Sequence, residues 1–243
     1  MVALAAHGGE QAFQPIVAAA NTADIFAYEC LMRGTAADGA LIAPMRLLDA
    51  AGEADLLFQL DRQAREAAVR QARAAGIQRK IFINFSPNAI YDPAFCLRTT
   101  VGILEELQVT PSEVVFEVGE SHAIQRLDHV RRILNFYRDK GFLIALDDLG
   151  AGYASLNYLH ALRPDFIKID IGLVHGVDAD AFKAEVARRL IETALALDIR
   201  VIAEGVETPE EFRWLRHAGA QYLQGYLFGR PQAVPAPETP RIA

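Results

Sequence analysis

Short runs rich in β-branched and aromatic residues recur along the chain from residue 80 onward, at 80–85, 113–118, 142–147, 165–170, 200–204 and 221–224. Most are close to continuously apolar, as expected of strands buried on both faces of a parallel sheet. Between them the apolar period becomes helical. Leu127, Val130, Leu134 and Tyr137 share one face of a stretch over 127–140 that Gly141 stops. Thr208, Pro209 and Glu211 sign another helix start, a capping box with proline at the first helical position. Upstream, 11–18 and 25–33 read as two further strands around a turn-like 21–24, followed by helical patterns over 44–51 and 55–75. Two strands and six make eight, and strands alternating with helices predict an α/β fold, a modified TIM-like (β/α)8 barrel, with an open doubly wound sheet as the runner-up. A hairpin-sized turn follows the first strand where a helix would be regular, so that strand can pair antiparallel.

The length of 243 residues suits a single barrel, which needs roughly 250. We expect one domain over 11–231, a short N-terminal extension over 1–10, and a loosely ordered tail over 232–243, where Pro235, Pro237 and Pro240 disfavour helix and strand. Hydrophobic residues at 52% and charged residues at 23% exclude disorder of the whole chain. The formal charge of -7 argues against a nucleic-acid polymer as partner, and an anionic ligand would need local help from bound cations. Only Cys30 and Cys96 occur, without zinc-type spacing or a disulfide framework, which fits a reducing cytoplasm. The first ten residues do not read as a signal peptide and no segment approaches a membrane span, so no membrane insertion is expected.

The polar residues add the chemistry. The inferred strands finish in or beside Glu29, Asn84, Glu117, Asp147 with Asp148, Lys168, Glu204 and Gln224. In a βα barrel these ends converge on one mouth, where barrel active sites lie. Each residue alone has a plainer reading. Asn84 could open a turn, Glu29 could pair with Arg33 on the surface, Lys168 could pair with Asp170, and Glu204 and Glu207 could serve the dipole of the next helix. Together they are better explained as one pocket. Carboxylates and an amide without histidine make a hard, oxygen-only set suited to Mg²⁺ or Mn²⁺. The six histidines are scattered. Asp147 and Asp148 would face opposite ways in a continuing strand, but Gly150 and Gly152 allow a sharp turn that brings both to a metal. Paired divalent ions bridged by a carboxylate are the usual device for phosphodiester hydrolysis.

In order along the chain stand FQPIV, YECLMRG, INFSP, FEVGES, ALDDLGAGYASL, DFIKID, AEGVET and LQGYLFGRP. In order and spacing these resemble the EAL-domain cyclic di-GMP phosphodiesterases from Gln14 to Pro231, with Glu29-Cys30-Leu31 in place of the eponymous triplet. The resemblance implies metal-dependent hydrolysis of cyclic di-GMP to the linear dinucleotide pGpG. It implies that Glu29, Asn84, Glu117 and Asp147 ligate one Mg²⁺ or Mn²⁺, and that Asp147 bridges to a second ion near Asp148. Glu204 would be the general base or water-orienting carboxylate, and Lys168 would orient the water or balance charge. Gln14, Leu31, Arg33, Gln224 and Pro231 would meet the substrate, with Glu207 and Asp170 in support and Glu120 holding the loop from Asp148 to Ser155. A homodimer, and a sensor domain in a longer parent chain, are implied by the same analogy. Cysteine replaces alanine at position 30, Leu149 stands where phenylalanine is common, and Gly119 stands where many active members have threonine. Loss of such a supporting hydroxyl can cost about 10 to 100-fold at a metal site. The alternative is a degenerate module that binds cyclic di-GMP or a partner protein without hydrolysis; intact Glu29, Asp147 and Glu204 weigh against it.

Overall fold

The computed structural model describes residues 9–36, 40–119, 127–151, 155–235 and 239–242. In chain order the elements are β1 (Glu10–Ala18), β2 (Asn21–Thr35), the two-residue β3 (Leu41–Ile42), α1 (Pro44–Glu53), α2 (Leu57–Ala74), β4 (Lys80–Asn84), α3 (Pro93–Glu106), β5 (Val114–Gly119) and α4 (Leu127–Asp139). There follow β6 (Leu143–Leu149), α5 (Ser155–Leu162), β7 (Phe166–Ile169), the short α6 (Ile171–Val174), α7 (Ala181–Ala196), β8 (Arg200–Ala203), α8 (Pro209–Ala218) and β9 (Tyr222–Gln224). All the strands except β3 form a closed barrel, running β1-β9-β8-β7-β6-β5-β4-β2 and sealed by pairing of β2 with β1. The open-sheet alternative is thereby excluded. β1 is antiparallel to both β2 and β9, whereas the other barrel pairs are parallel.

The hairpin turn falls at Ala19 and Ala20, not at 21–24, which already belong to β2. Irregularities opposite Ile16, Val17 and Ala18 absorb the extra residues. The polar side chains there find partners outside the ladder: Thr22 Oγ1 donates to Pro240 O at 2.7 Å, and Asp24 pairs with Arg79 at 3.5 Å. The same threonine also meets described residues of the tail. Thr239 Oγ1 donates to Thr22 O, Ile242 N donates to Thr22 Oγ1, and Phe13 and Gln232 exchange backbone hydrogen bonds. Proline removes donors but leaves carbonyls able to accept, so the described tail residues are held at these points.

Helix ends follow the chemistry expected of them. In α8, Glu211 N donates to Thr208 Oγ1 at 3.2 Å and Thr208 N donates to Glu211 Oε2 at 3.1 Å, while Gly219 closes the helix with φ 102°. The strands bury both faces. Ile81, Ile83, Val114, Phe116, Ile144, Leu146, Ile167, Ile169 and Val201 pack outward against helix residues such as Val69, Ile103, Leu134, Ile191 and Leu215. Ile16, Ala27, Phe82, Val115, Ala145, Phe166 and Ile202 fill the barrel interior as a separate buried cluster. Each large apolar side chain fully buried in this way contributes about 1.5–3 kcal/mol before entropy is set against it. Among the described residues no helix is long and apolar enough to cross a membrane.

Candidate active site

The interior cluster explains where the polar residues stand. A strand side chain repeats its direction every two residues. Two positions beyond Ala27, Phe82, Val115, Ala145, Phe166 and Ile202 come Glu29, Asn84, Glu117, Asp147, Lys168 and Glu204. On antiparallel β1 the step is reversed and leads from Ile16 to Gln14. The apolar plug in the barrel thus carries a polar ring on its mouth side. Lys168, only 1% exposed, stands at the centre: Nζ lies 2.7 Å from Glu204, 2.8 Å from Glu117, 3.2 Å from Asp147 and 3.4 Å from Glu29. Asn84 Nδ2 donates to Glu29 Oε1 and Glu117 Oε2, each at 3.0 Å. Gln224 Nε2 donates to Glu29 Oε2 at 2.6 Å and Gln14 Oε1 at 3.1 Å, and Gln14 Nε2 reaches Gly229 O at 3.3 Å.

These contacts replace the plainer readings. Glu29 is paired with Lys168, not Arg33, and Asp170 caps α6 by accepting from Gly172 N at 2.8 Å. Glu211 and Thr208, not Glu204 and Glu207, provide the α8 cap. The turn at Asp147 and Asp148 also differs from expectation. Pairing with β7 skips from Leu146↔Ile167 to Leu149↔Ile169, so β6 holds one extra residue, and Asp148 itself takes a left-handed φ of 57°. That bulge, upstream of Gly150, lets both aspartates face the mouth; Asp147, Asp148 and Glu204 each bring a carboxylate oxygen within 4.8 Å of the others. Gly152 lies outside the described residues, as does Glu120.

Burial and crowding set the charges. Burial pushes Glu117 well above the usual carboxylate range, and the charges of Glu29 and Asp147 push the same way against Lys168. Glu204 is raised likewise, by burial and by Asp147. Asp148 is pushed up to about 6 by burial and by its neighbour Asp147. For Glu29 burial is outweighed by Lys168 and by the amide donors of Gln224 and Asn84, and its carboxyl is lowered. Burial alone would discharge Lys168, but Asp147, Glu117, Glu204 and Glu29 hold its ammonium charged well above the ordinary lysine range.

Two cavities adjoin the ring. One, of about 300 Å³, is lined by Gln14, Glu29, Leu31, Asp148, Asp170, Glu204, Glu207 and Gln224, together with Ile171, Gly205, Gly225 and Tyr226. The other, about 270 Å³ and largely apolar, shares Leu31 and Asp148 with the first and adds Asn84, Met32, Met45, Leu48 and Leu60. Arg33 lies near the end of β2 opposite Glu10 and donates to Met32 O at 3.0 Å; neither it nor Pro231 lines either cavity. Tyr226 and the methionines were not anticipated. A tyrosine directly after Gln-Gly was the available signal; the exposure of Met45 on α1, at 60%, is visible only in the structure. A larger hollow of about 520 Å³ between α4 and α5 lacks carboxylates, and the Arg138 guanidinium in it is already engaged by the carbonyls of Leu162 and Arg163.

Fold and site together define a closed βα barrel with a carboxylate ring around one buried lysine at the strand C-termini. Comparison makes this specific: the chain belongs to the EAL domain family, whose family model matches residues 2–231. It is 31% identical over 223 residues to the probable cyclic di-GMP phosphodiesterase PdeG of Escherichia coli (strain K12), covering 90% of this chain and 44% of that protein. The chain therefore spans less than half of that relative's length. Among solved structures it matches the cyclic di-GMP-bound form of a standalone versatile EAL protein from Vibrio cholerae O395, with TM-score 0.87, 34% identity and 95% of both chains covered. It also matches a manganese/cyclic di-GMP complex of Klebsiella pneumoniae BlrP1, with TM-score 0.84, 28% identity, and 98% of this chain and 58% of that one covered.

Proposed function

We propose that this chain hydrolyses cyclic di-GMP to linear pGpG with two hard divalent cations, Mg²⁺ or Mn²⁺. The observation that carries the proposal is the ring itself: Glu29, Glu117, Asp147 and Glu204 stand around a single ammonium, and Asp148 adds a fifth carboxylate beside Asp147 and Glu204. Their negative charge exceeds what Lys168 can offset. Among the described residues, buried Glu117 Oε1 and Asp147 Oδ1 meet only the Lys168 ammonium, at 2.8 and 3.2 Å, and no other hydrogen-bond donor, which leaves them capacity for a cation. Glu29, Asn84, Glu117 and Asp147 would hold one cation, with Asp147 shared with a second beside Asp148. Such cations, when bound, offset phosphate charge and lower the pKa of coordinated water.

The remaining work falls to the chain. Glu204 takes the proton of the attacking water or orients it, and its raised proton affinity suits a base. Lys168, touching both Glu204 and Asp147, holds the base in place and balances charge as the P–O bond opens. Gln14 and Gln224 meet the polar parts of the substrate. Leu31, at the seam of the two cavities, separates a polar space suited to phosphate and ribose from an apolar one suited to a flat base. Arg33 and Pro231 extend this surface beyond the cavities, the guanidinium offering a planar fork to phosphate. Asp170 and Glu207 support the rim. The test is chromatography of cyclic di-GMP incubated with chelator-treated protein, with and without Mg²⁺ or Mn²⁺. Linear product only with the ions is expected. Tight binding without product in either ion would make the chain a receptor instead.

A further inference from the structure

Directly behind the ring lies a buried ion pair that the chemistry above does not use. Arg65 on α2 is 0% exposed and donates from Nε to Asp61 Oδ2 at 2.9 Å. Its remaining donors reach α3, with Nη1 2.8 Å from Thr100 Oγ1 and 3.4 Å from Cys96 O. The other oxygen of Asp61, Oδ1, accepts from Ser86 N at 2.9 Å.

Ser86 follows Asn84 by two residues, where the chain leaves β4. Phe85 N continues the ladder to Glu117 O at 3.1 Å, Ser86 is extended with φ -98° and ψ 111°, and Pro87 carries no N–H. Asp61 therefore supplies the partner of the last amide before the proline. A buried ion pair is a poor device for stability alone, since well-packed apolar residues of similar volume often serve as well or better. What such residues could not supply is a directed acceptor at one point of the backbone.

We infer that Asp61, held by Arg65, is a positioning residue for Asn84: it fixes the exit of β4 so that the amide is presented between Glu29 and Glu117. The inference rests on the proposed metal site for its consequence but not for its geometry. Supporting groups of this kind are worth about 10 to 100-fold in metal affinity.

The test compares Asp61→Leu/Arg65→Met, which replaces the pair by apolar groups, with Asp61→Asn and Asp61→Glu. Asparagine keeps an acceptor in place. Glutamate keeps the charge but moves the acceptor by one methylene, with room in the adjoining cavity that Asp61 lines. Circular dichroism and thermal melting report the fold, hydrogen exchange reports the Ser86 amide, calorimetry reports Mn²⁺ affinity, and NMR of the metal-free protein reports the Asn84 side-chain NH₂. In the double variant we expect a retained fold, faster Ser86 exchange, an altered Asn84 NH₂ signal and Mn²⁺ affinity lower by about 10 to 100-fold. Asp61→Asn should hold its Mn²⁺ affinity within about threefold and Asp61→Glu should lose it in the manner of the double variant.

A folded double variant with unchanged Mn²⁺ affinity and Asn84 signal overturns the inference. If the double variant does not fold, Asn and Glu variants of equal affinity overturn it, because affinity would then be indifferent to where the acceptor lies. Failure of the unmutated chain to bind Mn²⁺ would sink the proposed function instead, and the positioning role would then stand or fall on the metal-free Asn84 signal.

Discussion

Replacing Lys168 by methionine removes the ammonium from the centre of four carboxylates whose oxygens approach it at 2.7–3.4 Å. The stem is kept; only the charge and its hydrogen bonds go. Breaking a buried ion pair from one side costs about 3–5 kcal/mol, and at about 2–4 °C per kcal/mol for a domain of this size the metal-free variant should melt about 6–20 °C lower at pH 8. The pH dependence carries a sign. Glu117 and Glu204 already bind protons above the usual carboxylate range. Without Lys168 they are raised further, so stability is present while they are protonated and is lost as pH rises through their folded values. Lys168 itself, raised above its ordinary value, contributes fully from pH 5 to 8 and is lost only above about pH 10. The gap between the unmutated chain and the variant should therefore widen from pH 5 to 8 in chelator. Saturating Mn²⁺ should narrow it by returning positive charge to the ring. Scanning fluorimetry at the two pH values, with circular dichroism to establish the fold, reads all of this. A fall of less than about 2 °C at pH 8 in chelator, well below the range expected for a broken buried pair, would refute the reasoning. So would a gap that is wider at pH 5.

Glu204→Gln keeps the volume and removes the charge; turnover of cyclic di-GMP should drop by about 10² to 10⁴-fold, while calorimetry in the same ion still finds the ligand bound, and near-normal product formation would remove Glu204 from the chemistry. The rise in melting temperature produced by Mn²⁺ should grow from pH 5 to 8, because Asp148, with its carboxyl at about 6, must lose its proton to solvent in order to bind a cation; a larger rise at pH 5 would contradict the assignment. Gly225→Ala places a Cβ 2.1 Å from Val206 O and 2.3 Å from Val206 N, where the Val206 amide also holds Gln224 O at 3.0 Å. Overpacking against fixed backbone should cost about 1–3 kcal/mol, read as a lower melting temperature, and should lower turnover as the ends of β8 and β9 beside Glu204 and Gln224 part; an unchanged melting curve would show that the two strand ends are not locked together.

Much of this was written in the sequence because it is periodic and local. Alternation of buried runs with helical faces announces a βα barrel, and residues such as Glu29, Glu117, Lys168 and Glu204 at the ends of those runs must share a mouth if the barrel closes. The capping box at Thr208 and Glu211 needed no tertiary information, since both partners lie within one turn. Other features depend on what neighbouring elements do. Nothing in the hydrophobic pattern shows that β6 carries an extra residue, because a bulge is defined only against the register of β7; it is this bulge that turns Asp148 to the side of Asp147. The anchoring of the tail was hidden for a similar reason. Local composition shows no partner there, but Thr22, more than two hundred residues away, shares hydrogen bonds with Thr239 and Pro240. Asp61 and Arg65 stand four residues apart on α2; only the packing of α2 against α3 and the end of β4 buries that pair and aims the other oxygen of Asp61 at Ser86. The sequence by itself determined which residues could meet, through period and strand ends. The tertiary structure decided how they meet, because register, bulges and long-range hydrogen bonds are properties of pairs of elements and no single element contains them.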